Sequence, residues 1–393
     1  MDLKNSLIKD EFIAIHEPTL AGNEWKYVKA CLESGWISSA GTFVTRFEHE
    51  LAAYVDSPHA VSTINGTAAL HLALTVIGVR EGDEVIVPDL TFVAPVNAIR
   101  YCQAHPVLMD VDPQGWQIDA RKLEQFLSEE CELRGESCYN RGSGRIVRAL
   151  LPVHVLGLAC PMDEILPLAH KFRLAVVEDA SEALGVRYRG RHAGTFGDAG
   201  VFSFNANKIV TSGGGGMIVT GNGQAAQRAY YLSTQAKDGE LEYIHSEVGY
   251  NYRLTNMQAA LGLAQLEQID AFIARKRFIA NSYEKLLGGL DGITLMPTPD
   301  GCEPTWWLYT VLLREGISLE ERKRVIERLQ GMGIGARPFW HPIHSLPPYR
   351  RCQAFRIEHS TRLYERGVSL PSGAGLTDSQ IEHTAAAFKK CVF

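Results

Sequence analysis

Two rhythms of apolar and polar residues alternate along the first two thirds of the chain. β-rich runs occur at Ala60 to Ile64, Glu84 to Val87, Val107 to Asp110, Ile146 to Val153, Leu174 to Glu178, Val201 to Ser203 and Met217 to Thr220. Between them, Thr67 to Ile77, Ala94 to Tyr101, Asp119 to Ser128 and Met162 to Lys171 carry apolar residues at helical spacing. Strands separated by helix-length segments predict an α/β domain, with a mostly parallel sheet covered by helices. The turn-rich, hydrophilic stretch from Glu132 to Arg145 reads as an exposed excursion between a helix and a strand.

The rhythm then changes. From about Thr255 to Leu287 a helical pattern runs through Met257, Ala260, Leu261, Ala264, Leu266, Ile269 and Phe272, long enough to carry the chain out of the first domain. Beyond it lie a strand-like Trp306 to Leu313, a helix from about Leu319 to Met332 closed by Gly333, a strand near Ile334 and a final helix from about Asp378 to Lys390. The expected organisation is an arm over residues 1–20, a large domain over 21–255 and a smaller α+β C-terminal domain over 256–393. The arm has little periodicity and is expected to lie on the rest of the protein or on a second subunit.

A chain of 393 residues exceeds what one core usually organises, and its hydrophobic (46%) and charged (21%) fractions are those of a packed protein. The formal charge of −6 comes with no Lys/Arg run, which argues against nucleic acid as a partner. No apolar stretch approaches the ~20 residues that span a bilayer, and the opening residues lack a signal-peptide core, so a cytoplasmic protein is expected. The eight cysteines form no close pair of the kind that binds metal. Cys131 and Cys138, at the start of and within the polar excursion, are expected to be the most accessible thiols.

Against this background the candidate chemistry is compact. Asp179 closes an apolar strand, at the sheet edge where ligands bind in such folds. Lys208 follows 29 residues later, room for one more β unit, and stands before the glycine run Gly213 to Gly216. An amine can hold an aldehyde cofactor covalently, and a carboxylate on a pyridine nitrogen keeps that ring protonated, so the pair points to pyridoxal 5'-phosphate (PLP). Asn65-Gly66-Thr67 opens a helix after a strand, where backbone N–H groups meet an anion such as phosphate. Each feature has a plainer reading on its own, as a helix cap, an ion pair or a solvated lysine. The same holds for Phe92, Trp306 and Trp307 as core aromatics and for His154 as a structural histidine.

Taken in order, Asn65 to Leu70, Glu178-Asp179-Ala180-Ser181-Glu182-Ala183-Leu184-Gly185, Gly197-Asp198, Phe202-Ser203-Phe204, Lys208 with its glycines, and Gly249-Tyr250-Asn251-Tyr252-Arg253 resemble the DegT/DnrJ/EryC1/StrS sugar aminotransferases. The resemblance covers nearly the whole chain and, within the family, is nearest to LegC-type enzymes. It implies a fold-type-I PLP enzyme, a homodimer with active sites at the subunit interface, and L-glutamate as amino donor. The acceptor it implies is a nucleotide-linked 4-keto-6-deoxy sugar, UDP-2-acetamido-2,6-dideoxy-4-hexulose, used for bacterial surface glycans. By the same resemblance Lys208 is the covalent lysine, Asp179 the ring-nitrogen partner, Phe92 the stacking aromatic, and Gly66, Thr67 and Ser203 the phosphate site, which Asn251 reaches from the other subunit. Glu182 falls near the phenolic oxygen, where the family often has Gln or His. His154 is a candidate substrate contact, and Arg337, His341 and His344 are candidates for the sugar diphosphate or the donor carboxylate. Alternatives are a GDP-perosamine-synthase-like enzyme acting on GDP-4-keto-6-deoxymannose, a sugar dehydratase, whose members carry histidine at the lysine position, and a PLP-binding regulator without catalysis.

Overall fold

A computed structural model describes residues 12–239 and 241–393. Its centre is a 10-stranded mixed sheet, in the spatial order His59–Thr63, Gly216–Thr220, Ala199–Ser203, Ala175–Asp179, Ile146–Leu150, Glu84–Pro88, His105–Met109 and Gln353–Phe355. From Ala199–Ser203 to Gln353–Phe355 every neighbouring pair is parallel. Gly216–Thr220 runs antiparallel to both of its neighbours, so His59–Thr63 points the same way as the parallel strands. Strands covered on both faces must be apolar throughout. Glu84–Pro88 and Gly216–Thr220 are accordingly buried along their whole length.

Helix Gly66–Val76 is buried from Ala68 through Leu74, and its polar side chains are confined to the narrow stripe Thr67, His71 and Thr75. The covering helices Ala94–Tyr101, Ala120–Glu129 and Met162–Lys171 follow the expected spacing within a residue at their ends. The C-terminal part builds a separate 4-stranded antiparallel sheet from Ile293–Thr294, Tyr309–Leu313, Gly367–Leu370 and Arg337–Pro338, flanked by helices Leu319–Gly331 and Asp378–Val392. Of the arm, residues 1–11 lie outside the described residues. Ile13 bonds through its backbone to Gly333 and Gly335, and Ile15 accepts from Ser372, so residues 13–15 strap onto the C-terminal part.

Four expectations need correction. The excursion after Ser128 is a β-hairpin, Cys131–Arg134 with Ser137–Asn140, that pairs with Ile146–Leu150 and extends the large sheet. Cys131 and Cys138 are therefore buried, at 2% and 1% exposure, because alternate hairpin residues face the core. The long helix is two helices, Asn256–Leu266 and Ile269–Leu287. At the break, Gln265 and Gln268 both donate to the Glu24 carboxylate, at 2.6 and 2.8 Å, and Glu267 takes the Tyr27 hydroxyl at 2.6 Å. The large sheet is completed by Gln353–Phe355, a strand from the C-terminal third that no periodicity marks because it is so short.

Candidate active site

The carboxyl ends of the parallel strands converge on one edge. Asp179 and Ser203 close their strands there, Thr91 and Phe92 follow Glu84–Pro88, and helix Gly66–Val76 starts there after His59–Thr63. These residues line one cavity of about 300 Å³ together with Ser181, Glu182, Lys208, Trp307 and Trp340. Its volume sits at the small end for ligand pockets.

One wall is a helix N-terminus. Asn65 Oδ1 accepts the Ala68 N–H at 2.8 Å, which caps the helix and leaves the earlier N–H groups of Gly66 and Thr67 for a ligand. Gly66 is required by close packing: a Cβ there would lie 2.9 Å from Ser203 Cβ. Gly216, last of the glycine run, is in the same position against the Asn65 carbonyl, at 2.6 Å. The run is thus a place of backbone contact as well as a turn. The Ser181 hydroxyl lies 3.5 Å from the same Gly66 Cβ position, so the hydroxyls of Thr67, Ser181 and Ser203 gather around the helix start.

The opposite wall is acidic and deeply anchored. Asp179 donates its N–H to Pro152 O at 2.9 Å and accepts His154 N–H at 3.0 Å, while its Oδ1 takes Ser181 N–H at 3.0 Å. Burial raises its pKa; the Ser181 bonds and the Lys208 charge oppose the rise. Behind it, Glu178 accepts N–H groups from Gly194, Phe196 and Gly197 and the Nε2–H of His154 at 2.9 Å. Cys160 N–H donates to His154 Nδ1 at 3.0 Å, which fixes the proton on Nε2. His154 is fully buried, so it cannot touch a substrate and instead orients the strand ends. That corrects its candidacy as a substrate residue.

Lys208 completes the site. Its Nζ stands 3.9 Å above the centre of the Trp307 ring and 3.6 Å from Glu182 Oε1. Burial lowers the amine's pKa, and the Glu182 and Asp179 carboxylates resist the fall. Burial likewise raises the pKa of Glu182, whose Oε2 accepts Leu156 N–H at 2.8 Å. Trp307 is locked by its indole N–H to Asn207 O at 2.6 Å and packs on Trp340, which meets Phe92 edge-on with ring centres 5.5 Å apart. Phe92 remains 52% exposed, a flat apolar face open to the cavity.

The loop candidates fall elsewhere. Arg337 is exposed and bonds back to Ala336 O. His341 packs on Tyr364 and bonds Ser345, and His344 donates its N–H to one oxygen of Asp89 and pairs through Nδ1 with the other, each at 2.7 Å. None of these three lines the cavity, and Asp89 holds the loop against the large sheet. Proximity in sequence had grouped them; their partners are structural. Asn251 is exposed, bridges Thr234 through its backbone, and is absent from this chain's own cavity wall. Sequence reasoning missed Ser181, Asn207 and Trp340. Ser181 alone carried a signal, two residues after Asp179 at a strand end.

An amine, a buried acid, an open aromatic face and a helix start ringed by hydroxyls form the donor set a phosphorylated pyridine aldehyde requires, and so the residues fit PLP. The signature of the DegT/DnrJ/EryC1/StrS aminotransferase family matches residues 18–389. The chain belongs to that family. It is similar to the GDP-perosamine synthase of Caulobacter vibrioides, 41% identical over 95% of this chain and 97% of the relative, and to that of Escherichia coli O157:H7, 39% identical over 94% and 96%. The Streptococcus pneumoniae sugar aminotransferase Spr1654 in its PMP form superposes with a TM-score of 0.88 at 26% identity, covering 97% of this chain and 98% of that one. The same protein has been solved in a PLP form. This aminotransferase is therefore a PLP enzyme of the nucleotide-sugar class with the expected fold.

Proposed function

We propose that the enzyme transfers an amino group from L-glutamate to C4 of a nucleotide-linked 4-keto-6-deoxy sugar, and that the nucleotide is GDP. The observation that carries the chemistry is the Lys208 amine standing in one cavity with Asp179 and Glu182. The observation that favours GDP over the UDP-linked sugar of the LegC-type expectation is full-length similarity to two GDP-perosamine synthases.

PLP supplies an aldehyde carbon for bonding and a ring that accepts electrons. Lys208 Nζ, lining the cavity beside Glu182, would hold that carbon covalently and would serve as the base for the donor's α-proton. Asp179 would keep the ring nitrogen protonated. Gly66 and Thr67 N–H with the Thr67, Ser181 and Ser203 hydroxyls hold the phosphate. Phe92 would offer the ring its open face, and Asn251, exposed and away from this chain's own cavity, would serve the phosphate of a second subunit in a homodimer. The test is turnover of GDP-, UDP- and dTDP-linked 4-keto-6-deoxy sugars with glutamate, read as product mass. A GDP-linked 4-amino sugar as the preferred product supports the proposal. Amination of the UDP sugar alone would overturn the nucleotide assignment, and no amination of any of them would overturn the reaction.

A further inference from the structure

Glu182 occupies a place where a carboxylate is costly. It is 6% exposed, shares the cavity wall with a second buried acid, and has no arginine or histidine partner among the described residues. Burying such a group is tolerated when a specific partner compensates, and here that partner is Lys208, its Oε1 being 3.6 Å from Nζ. Asp179 makes no comparable contact with the amine; its carboxylate is taken up by the Ser181 N–H.

The surrounding backbone is shaped around this pair. Leu156, a buried residue with a Cβ, adopts φ 60, in the left-handed region that such residues avoid. That conformation presents its N–H to Glu182 Oε2 at 2.8 Å. Gly157 follows with φ 79, and any Cβ there would collide with the backbone nitrogen of Trp307. Its carbonyl takes Thr305 N–H at 3.0 Å. One strained turn thus fixes the carboxylate on one side of the amine and the indole face on the other. Strain of this kind persists only where its surroundings over-determine it, and it concentrates at functional sites.

We propose that Glu182 is the proton partner of Lys208, a positioning residue that keeps the free amine charged before the cofactor is bound and accepts its proton when the amine acts. The inference rests on the functional reading above. The step is Lys208 –NH₃⁺ with Glu182 –COO⁻ going to –NH₂ with –COOH: one N–H bond breaks, one O–H bond forms, and no other reactant is needed. At 3.6 Å the two groups stand within ion-pair range, and catalytic hydrogen bonds are often long in unliganded sites. The other groups facing the amine are Asp179, the Trp307 ring and, behind that ring, His16, which burial keeps uncharged. None of them offers a second acceptor as close.

The test uses the full-length protein stripped of cofactor. Lys208 is acylated with acetic anhydride across a pH series, and the extent of modification is read by peptide mass spectrometry. Glu182→Gln keeps an oxygen for Leu156 N–H but removes the charge. It is expected to lower the pH midpoint of Lys208 labelling by about one unit or more, as the loss of an opposite charge at this range does. Glu182→Asp, which restores a carboxylate, should recover part of the shift. In the wild type, adding PLP should raise an infrared band of a protonated carboxyl that Glu182→Gln lacks. Equal midpoints in wild type and Glu182→Gln, or the same band in both, would overturn the assignment. Should wild-type Lys208 fail to capture PLP at all, the aminotransferase reading would fall, while the labelling midpoints would still decide whether Glu182 governs the amine.

Discussion

Lys208 and Lys276 approach the same tryptophan from two sides. Lys208 places its amine over the Trp307 ring, facing Glu182 and an open cavity, with 14% of its side chain exposed. Lys276, from helix Ile269–Leu287, is 1% exposed and donates to Trp307 O at 3.0 Å and Ser372 O at 2.6 Å. Burial alone pulls its pKa down to about 7, and no carboxylate opposes that. Both are desolvated amines, but Lys208 lines a cavity of about 300 Å³ and is paired with Glu182, whereas the crevice at Lys276 measures about 10 Å³. A lysine becomes reactive by what faces it, and depth of burial is not enough.

The sharpest way to break this comparison is to delete each amine. Lys208→Ala is expected to lose amino transfer by about 10³-fold or more, since it removes both the covalent anchor and the proton carrier. Its visible cofactor band should be absent after gel filtration. Retention of near wild-type turnover would contradict the role assigned to Lys208.

Next in size is the phosphate wall. Gly66→Ala puts a Cβ 2.9 Å from Ser203 Cβ and should weaken PLP binding by about ten- to hundredfold, the scale of about 1–3 kcal/mol for overpacking. Equilibrium titration of the stripped protein with PLP measures this. An unchanged affinity would show that the helix start does not hold the cofactor.

Lys276 gives the smallest effect, and it appears in stability. Its folded pKa of about 7 lies below the unfolded value near 10.5, so between these the unfolded chain binds the extra proton. Stability therefore rises with pH across that window, by at most about 1.4 kcal/mol per unit. Lys276→Met should remove this dependence, seen as urea midpoints of wild type and variant that diverge from pH 7 to 9. Parallel midpoints would show that the amine is not held in a dry site.

Much of the site was legible because its residues sit at strand ends and helix starts, positions that periodicity locates. Asp179, Ser203, Gly66 and Lys208 converge since each follows a parallel strand or the turn beyond one. Side chains whose role depends on distant partners were not legible. His154 stays open between structural histidine and substrate contact until Glu178 and Cys160 are seen on its two nitrogens. His344 reads the same way until Asp89 is found beside it. Trp340 enters the site from 248 residues beyond Phe92, in a short irregular loop that no spacing announces. Cys131 and Cys138 were misread because hairpin polarity was taken for exposure, when the charges sit on one face and the thiols on the other.

The central claim is that Lys208 is the amine that takes the cofactor. Borohydride reduction of the PLP-loaded protein followed by peptide mapping tests it directly, because reduction makes the link permanent. The label is predicted on Lys208 alone, with Lys276 unmodified. A label on Lys276 or any other lysine, with Lys208 free, would contradict it.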